Sequence, residues 1–478
     1  MLVEATDGTL TEQVMALVRT RIERRQLVSG ARLPSVRAMA EAAGVSKSTV
    51  VEAYDRLVAE GAIRARPGSG FYVAAPLAPL TIAAVDSRAD LAIDPLWMLR
   101  ESLSPRPGAI LAGGGCLPDD WLPVELLRKG LRTIARTAPL TSMTNYSTAM
   151  GSEPVRRLIA RRMGEQGVDV ATDQILLTDS GTQAIDLICR FLIEPGDVVL
   201  IDDPCYFNFQ ALLRAHRARP IGVPFTPHGP DVEAFQQALE EHLPRLYITN
   251  SAIHNPTGAS LSAPVAHRLL KLAEAHDLLI VEDDIFADFE TVPSARLAAF
   301  DGLDRVIRVG SFSKSLTSAV RCGHIAARRD WIAALADLRI ATGMSSSPIS
   351  AELVHTVLTD GAYRRHMEKI RGRLEQTMTR VIPRLAEIGI VPWIEPSGGM
   401  FLWARLPDDL DAVAVTRHAL RSNIVLAPGN VFSVSQSAGS YLRLNVARMG
   451  DDRVFEVLEA AMAHCGRGQG LAIPPSDH

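Results

Sequence analysis

Arg308-Val309-Gly310-Ser311-Phe312-Ser313-Lys314 is the stretch whose reading decides the fold. The apolar pair Val306-Ile307 leads into it like a buried strand, and it closes on two small hydroxyl residues and a lysine. A lysine at the mouth of a strand, flanked by serines, suits a Schiff base to a phosphate-bearing aldehyde. The amine must be nucleophilic and partly desolvated, and the phosphate needs hydroxyl and backbone donors nearby. Taken alone, the stretch reads equally well as a solvated surface lysine after a strand.

The surrounding chain decides between the two. Four more apolar runs of strand length end in polar or glycine-rich segments. Ile175-Leu176-Leu177 ends at Thr178-Asp179-Ser180-Gly181, and Val198-Val199-Leu200-Ile201 ends at Asp202-Asp203-Pro204. Leu246-Tyr247-Ile248-Thr249 runs into Asn250 and Asn255-Pro256-Thr257-Gly258, and Leu278-Leu279-Ile280-Val281 into Glu282-Asp283-Asp284. Helical patterns alternate with these runs. In open α/β sheets ligands sit at the carboxyl ends of strands, so five such ends predict one shared site. Each segment fits one part of one ligand. The backbone N–H groups of Ser180-Gly181-Thr182, opening a helical pattern, would cradle a phosphate. Ser311, Ser313 and Arg321 add donors and a positive charge. Asp283 pairs with a pyridinium nitrogen, a contact of about 4 kcal/mol at ~4 Å and an effective dielectric of ~20. Tyr206 stacks on the ring, and Asn255 donates to its phenolic oxygen.

The first 74 residues read differently. Leu10, Val14, Leu17, Val18 and Ile22 recur at helical spacing, a short helix is expected from about Ser35 to Ala43, and Ser46 caps a third helix to about Glu60. Ile63 to Val73 reads as two strands around Pro67-Gly68-Ser69-Gly70. Together these make a winged helix-turn-helix. Ser46, Lys47, Ser48 and Thr49 open the third helix, where small hydroxyls and a lysine can reach phosphates and base edges. Arg37, Arg64, Arg66 and the wing around Gly68 would add contacts to DNA. The segment carries 10 Lys+Arg against 8 Asp+Glu, whereas the whole chain has a net charge of -4. That balance excludes a protein that coats nucleic acid or membrane with its whole surface. Residues 75–88, with Pro76 and Pro79, read as a semi-stiff connector that spans on the order of 20 Å as coil. The stretch from about Gly466 to His478 reads as a frayed end.

Leu33 to Val73, "LPSVRAMAEAAGVSKSTVVEAYDRLVAEGAIRARPGSGFYV", resembles the GntR family of bacterial transcription regulators. The resemblance implies operator binding with the third helix as the recognition helix. Gly113 to Val446 resembles a class I/II aminotransferase of fold type I, the pyridoxal 5'-phosphate (PLP) family. "SFSKSL" with Arg321 after it, "NPTG", "EDD", "DPCY", "GGMFLW" and "YLRLNVA" carry the match. By that resemblance the body is an α/β fold with a mixed, mostly parallel sheet and a small C-terminal α/β domain from about residue 374. Lys314 is then the covalent anchor of PLP, Asp283 binds the pyridine nitrogen, and Asn255 binds the phenolic oxygen. Arg443 takes a substrate carboxylate, as a guanidinium fork can. Tyr146, in "NYSTAMGSEPVRRL", resembles the tyrosine that reaches the phosphate across a subunit interface. The fusion of the two parts resembles the MocR subfamily. It implies a homodimeric, DNA-binding regulator that senses an amine, an amino acid or a B6 vitamer through PLP. An active aminotransferase carrying a DNA-binding module is the alternative.

Two departures stand out. Where the family usually places a tyrosine two or three positions after the pyridine aspartate, this chain has Ile285 and Phe286, and neither donates a hydrogen bond. Residue 180 is a serine where glycine is more usual. Both leave PLP binding expected and fast transamination in question.

The totals bound the rest. The chain has 478 residues, 47% apolar and 22% charged, enough for a large core in about three domain equivalents. Five scattered cysteines without a CxxC point to reduced thiols rather than a disulfide framework or a zinc site. No apolar run reaches membrane-spanning length, so a cytoplasmic protein is expected.

Overall fold

Two serines set the N-terminal helices. Ser35 Oγ accepts the Ala38 N–H at 3.2 Å and starts α2 (Val36–Ala43), which Gly44 ends at φ 69°. Ser46 Oγ accepts the Thr49 N–H at 3.1 Å and starts α3 (Lys47–Ala59). With α1 (Leu10–Glu23) they bury Val14, Val18, Met39, Val50, Ala53, Tyr54 and Leu57 in one small core. The Tyr54 hydroxyl donates to the Pro34 carbonyl at 3.0 Å, which ties α3 to the segment that enters α2. Strand β1 (Ile63–Arg66) pairs antiparallel with β2 (Gly70–Val73), Ile63 opposite Val73 and Arg66 opposite Gly70. Three helices and a hairpin form the winged helix-turn-helix.

The computed structural model describes residues 9–23, 27, 31–60, 62–66, 70–73 and 95–469. The expected hairpin turn with Gly68, the side chain of Arg66 and the connector at 75–88 lie outside the described residues. The chain divides into two compact units, Met1–Ala92 and Ile93–His478. The expected frayed end is corrected in part: the last helix, Arg453–Gln469, runs through Gly466, and residues 470–478 lie outside the description.

In the second unit an eight-stranded sheet runs in the order β3-β10-β9-β8-β7-β4-β5-β6. Its strands are β3 (Ile175–Thr178), β4 (Val198–Asp203), β5 (Arg219–Thr226), β6 (Gly229–Pro230), β7 (Leu246–Thr249), β8 (Leu279–Asp283), β9 (Val306–Ser311) and β10 (Gly323–Ala326). Five of them (β9, β8, β7, β4 and β5, in sheet order) are parallel neighbours, whereas β10 runs antiparallel between β9 and β3, and β6 antiparallel to β5. Helices cover both faces of a parallel sheet, so its strands must be apolar throughout. The runs at β3 and β7 obey this, buried at every position. A smaller antiparallel sheet follows the 27-residue helix Gly361–Glu387, in the order β11-β12-β14-β13. Its strands are β11 (Val391–Pro392), β12 (Phe401–Arg405), β13 (Ala427–Pro428) and β14 (Tyr441–Asn445). Among the described residues no helix is long and apolar enough to cross a membrane.

Candidate cofactor site and nucleic-acid interface

The large sheet brings the polar segments together through close backbone packing at β10. Gly323 lies opposite Ser311 on one side and Thr178 on the other. A Cβ on Gly323 would meet the Ser180 carbonyl carbon at 2.6 Å, the Gly181 nitrogen at 2.9 Å and the Gly310 oxygen at 3.0 Å. Only hydrogen fits there, so the start of the helix Gly181–Leu192 seats directly on the end of β9. A Cβ on Gly181 would lie 3.6 Å from Ser311 Cβ. Ser311 and Ser313 hydroxyls are 3.0 Å apart. Ser180 Oγ caps the helix by accepting the Gln183 N–H at 3.0 Å, and Thr182 is exposed in its first turn. Hydroxyls and a helix N-terminus on one edge make an anion cradle. Arg321 is exposed in the left-handed region at φ 46°. Gly323→Ala should push this backbone apart at a cost of about 1–3 kcal/mol. The expected result is a lower Tm together with weaker uptake of a phosphate-bearing ligand. An unchanged Tm and uptake would show that the close approach does not matter.

Of three consecutive acids at the end of β8, only Asp284 has ion-pair partners among the described residues, and Glu282 is held by backbone N–H groups. Glu282 accepts the Leu297 and Ala298 N–H groups at 2.7 and 3.0 Å. Asp284 pairs with Arg308 and Arg296. Asp283, 3% exposed, accepts the Ile285 N–H at 3.2 Å and is also pulled by the side chain of Asn250, whose Nδ2 donates to the Asp283 backbone carbonyl at 2.9 Å. Burial pushes its carboxyl up to about 7, against the pull of the Ile285 N–H and of Lys314. A buried carboxyl with no cation of its own is where a protonated ring nitrogen fits. Lys314 Nζ donates to the Gly115 carbonyl at 2.8 Å and lies 3.4 Å from Cys116 Sγ.

Arg443, on β14, is 1% exposed. It donates to Asn255 Oδ1 at 2.9 Å and to the Gly113 carbonyl at 2.6 Å, and it lies over the rings of Phe401 and Phe432. Its Nε has no partner, and burial pulls its guanidinium down to about 10. No carboxylate of the chain pairs with it among the described residues. The atoms of Lys314 and Arg443 face each other across Gly115, whose Cβ would lie 3.6 Å from Nζ and 3.8 Å from the guanidinium. A side chain at 115 would fill that gap. Asn255 keeps its amide N–H groups for another acceptor. Tyr206 is half-buried against Phe207 and Phe209, and burial pushes its hydroxyl up to about 12, which keeps it neutral.

Three expected groups sit differently from the rest. Phe286 is buried against Phe289 and Phe401, so no hydroxyl stands there. Ile285 packs at the helix start, with Cγ2 at 3.4 Å from a Cβ on Gly181. Tyr146 is 76% exposed and has no hydrogen-bond partner among the described residues. Sequence reasoning passed over Gly113, Gly115, Cys116, Asn250 and Gly323. The run Gly113-Gly114-Gly115 was the visible signal for the first two.

On the N-terminal unit, Lys47 and Ser48 are exposed in the first turn of α3, and Thr49 is half-buried. Ser46 Oγ bonds Ser48 Oγ at 2.7 Å and Thr49 Oγ1 at 2.8 Å, so these hydroxyls are spent partly on the cap. Arg37 on α2 and Arg64 on β1 are exposed. Arg32, not singled out from sequence, bridges to Tyr72 beside the wing and is exposed.

An open, mostly parallel sheet with a lysine and a buried carboxyl at its strand ends, and a buried arginine reaching them from the smaller sheet, defines a fold-type-I, aminotransferase-like body. The family profile "Aminotransferase class I and II" matches residues 123–460, and "Bacterial regulatory proteins, gntR family" matches residues 10–73. The chain belongs to the class I and II aminotransferase family, with a gntR-family module in front of it, the arrangement of MocR-type regulators. It is 30% identical over 454 residues to the HTH-type transcriptional regulator YdcR of Escherichia coli (strain K12), covering 91% of this chain and 94% of that one. It is 28% identical over 362 residues to the 2-aminoadipate transaminase of Thermus thermophilus, covering 74% and 89%. The crystal structure of LysN, an alpha-aminoadipate aminotransferase of Thermus thermophilus complexed with N-(5'-phosphopyridoxyl)-L-leucine, superposes with a TM-score of 0.71 at 26% identity. That match covers 77% of this chain and 95% of LysN.

Proposed function

We propose that this chain is a DNA-binding transcription regulator whose aminotransferase-like body holds PLP and senses an amine, an amino acid or a B6 vitamer there. When bound, PLP supplies an aldehyde that captures amines and a pyridinium ring that withdraws electrons. The residues of the chain do the rest. Lys314 anchors the aldehyde. Asp283 keeps a proton on the ring nitrogen. The start of the helix Gly181–Leu192, with Ser180, Gly181, Thr182, Ser311, Ser313 and Arg321, holds the phosphate. Asn255 donates to the phenolic oxygen, Tyr206 covers the ring, and Arg443 takes an effector carboxylate. Residues 1–74 read the operator, 75–88 connect, and 89–478 sense, with the small subdomain from about 374 as the moving part. A ligand biases that movement only by its differential affinity for the two arrangements.

The observation that carries the regulator reading is Phe286. An apolar ring stands where a proton donor would tune cofactor chemistry for turnover, while the anchoring and carboxylate-binding groups are intact. Those intact groups, Lys314, Asp283, Asn255 and Arg443, keep a working aminotransferase as the second reading. Steady-state turnover of amino acids with 2-oxo acids separates the two. The regulator reading expects rates far below the ~10 per second typical of enzymes. Turnover at ordinary enzyme rates without recognition of its own upstream DNA would overturn it.

A homodimer completes the proposal. Leu140, Met143 and Tyr146 are exposed together on one short segment, which supports burial against a second copy. Two heads then read two half-sites, which places the protein in the cytoplasm with the operator. Lys47→Ala should weaken operator binding by one phosphate contact and lower the salt slope by roughly 1. Unchanged affinity and slope would remove Lys47 from the DNA face.

A further inference from the structure

Five cysteines are present, and they are not equivalent. Cys189, Cys205 and Cys322 are buried and Cys465 is half-buried. Burial pushes all four thiols up, Cys189 and Cys322 to about 12. Cys116 is the exposed one. Its sulfur lies 3.4 Å from Nζ of Lys314, and that amine is held by the neighbouring Gly115 carbonyl at 2.8 Å. The backbone of Cys116 is pinned as well. Its carbonyl accepts from Asn445 Nδ2 at 3.0 Å and from Arg448 Nε at 2.9 Å. The buried guanidinium of Arg443 lies against Gly115, the residue before Cys116, and its Nε is unpartnered. A thiol beside two cationic groups, exposed and fixed in place, is the environment in which sulfur reacts with peroxides.

We propose that Cys116 and Lys314 form a peroxide-driven, thiol-reversible lock, an N–S bond that removes the amine from use. The sulfur attacks a hydroperoxide and the O–O bond breaks: Cys–SH and HOOH give Cys–SOH and water. Sulfur is oxidised and the peroxide reduced. The Lys314 ammonium releases a proton to solvent, and the free amine then attacks that sulfur through its lone pair. The S–O bond breaks, hydroxide leaves, and it takes a proton from nitrogen to depart as a second water. The product is Cys–S–NH–Lys, and no further oxidant is consumed. Two equivalents of a thiol cleave the N–S bond, restore thiol and amine, and leave as a disulfide. The lysine reaches the sulfur by rotating its flexible stem. The loss of cofactor capture that follows rests on the proposed function, whereas the bond itself does not.

The test uses the full-length protein, as purified and after removal of PLP with hydroxylamine. Each is treated with hydrogen peroxide, digested and weighed by mass spectrometry. A linked peptide pair containing Cys116 and Lys314, two hydrogens lighter than its parts, is expected in the stripped protein. It should disappear with dithiothreitol, and it should be absent in Cys116→Ser. PLP uptake, followed by absorbance, should fall at least tenfold on oxidation and return with dithiothreitol, and Cys116→Ser should keep its uptake through peroxide. Oxidation of Cys116 with Lys314 left free would overturn the proposal, as would equal loss of uptake in Cys116→Ser. If untreated protein takes up no PLP, the reading of function fails, and the lock is then judged on the linked peptide alone.

Discussion

Lys314→Ala is expected to fold normally and to lose all borohydride-fixable absorbance when mixed with PLP. The lysine is half-buried, and its amine makes two hydrogen bonds among the described residues, to Gly115 and Cys116, so its removal leaves the core clusters intact. What it removes is the amine proposed to meet the aldehyde, the one lysine at this site among the described residues. The phosphate cradle and Asp283 remain, so noncovalent binding persists at lower affinity. Reduction with borohydride followed by denaturation distinguishes the two. Wild type should retain the reduced chromophore on the peptide that contains Lys314, and the variant should release everything. Retention of the chromophore by the variant would place the anchor on another residue.

Asp283→Ala is expected to weaken PLP binding by up to ~1000-fold, because the ring nitrogen loses an ion pair of about 4 kcal/mol. The same carboxyl gives the cofactor-free protein a pH signature. Its folded value of about 7 lies above the ordinary 3.8, so the folded state binds this proton more tightly than the unfolded chain does. The stability it contributes is therefore fully present below about pH 4 and is lost as pH rises through about 7. Asp283→Asn carries no such proton. Relative to that variant, cofactor-free wild type should lose Tm steadily between about pH 4 and about pH 8, and PLP should restore it at the upper end by pairing the carboxylate. Parallel Tm curves for the two proteins would show that Asp283 is not the uncompensated group.

Much of this was legible because strands covered on both faces announce themselves. β3, β4, β7, β8 and β9 are short apolar runs that stop at polar residues, and the stop is where the site lies. β5 and β10 were not legible. β5 holds two prolines and an exposed arginine at its start, and β10 is four residues containing a histidine, so neither looks like a strand before its neighbours are known. Gly323 matters only through contacts with Ser180, Gly181 and Gly310, which come from far along the chain. No local pattern encodes that approach. The strand ends were also underestimated: Asp283 and Ser311 belong to the ends of β8 and β9 rather than to loops, which fixes their direction. In the N-terminal unit Ser46 gave the start of α3, since N-capping is written in a single residue, and the second helix, expected from about Ser35, proves to be capped by that serine. The cysteine beside the lysine was invisible, because 198 residues separate them.

The most direct measurement is the binding of full-length protein to labelled duplex from its own flanking promoter, at one salt concentration, with and without PLP. The account predicts specific binding whose Kd shifts several-fold when PLP is added to wild type and does not shift for Lys314→Ala. Absence of specific binding, or a wild-type Kd indifferent to PLP, would contradict it.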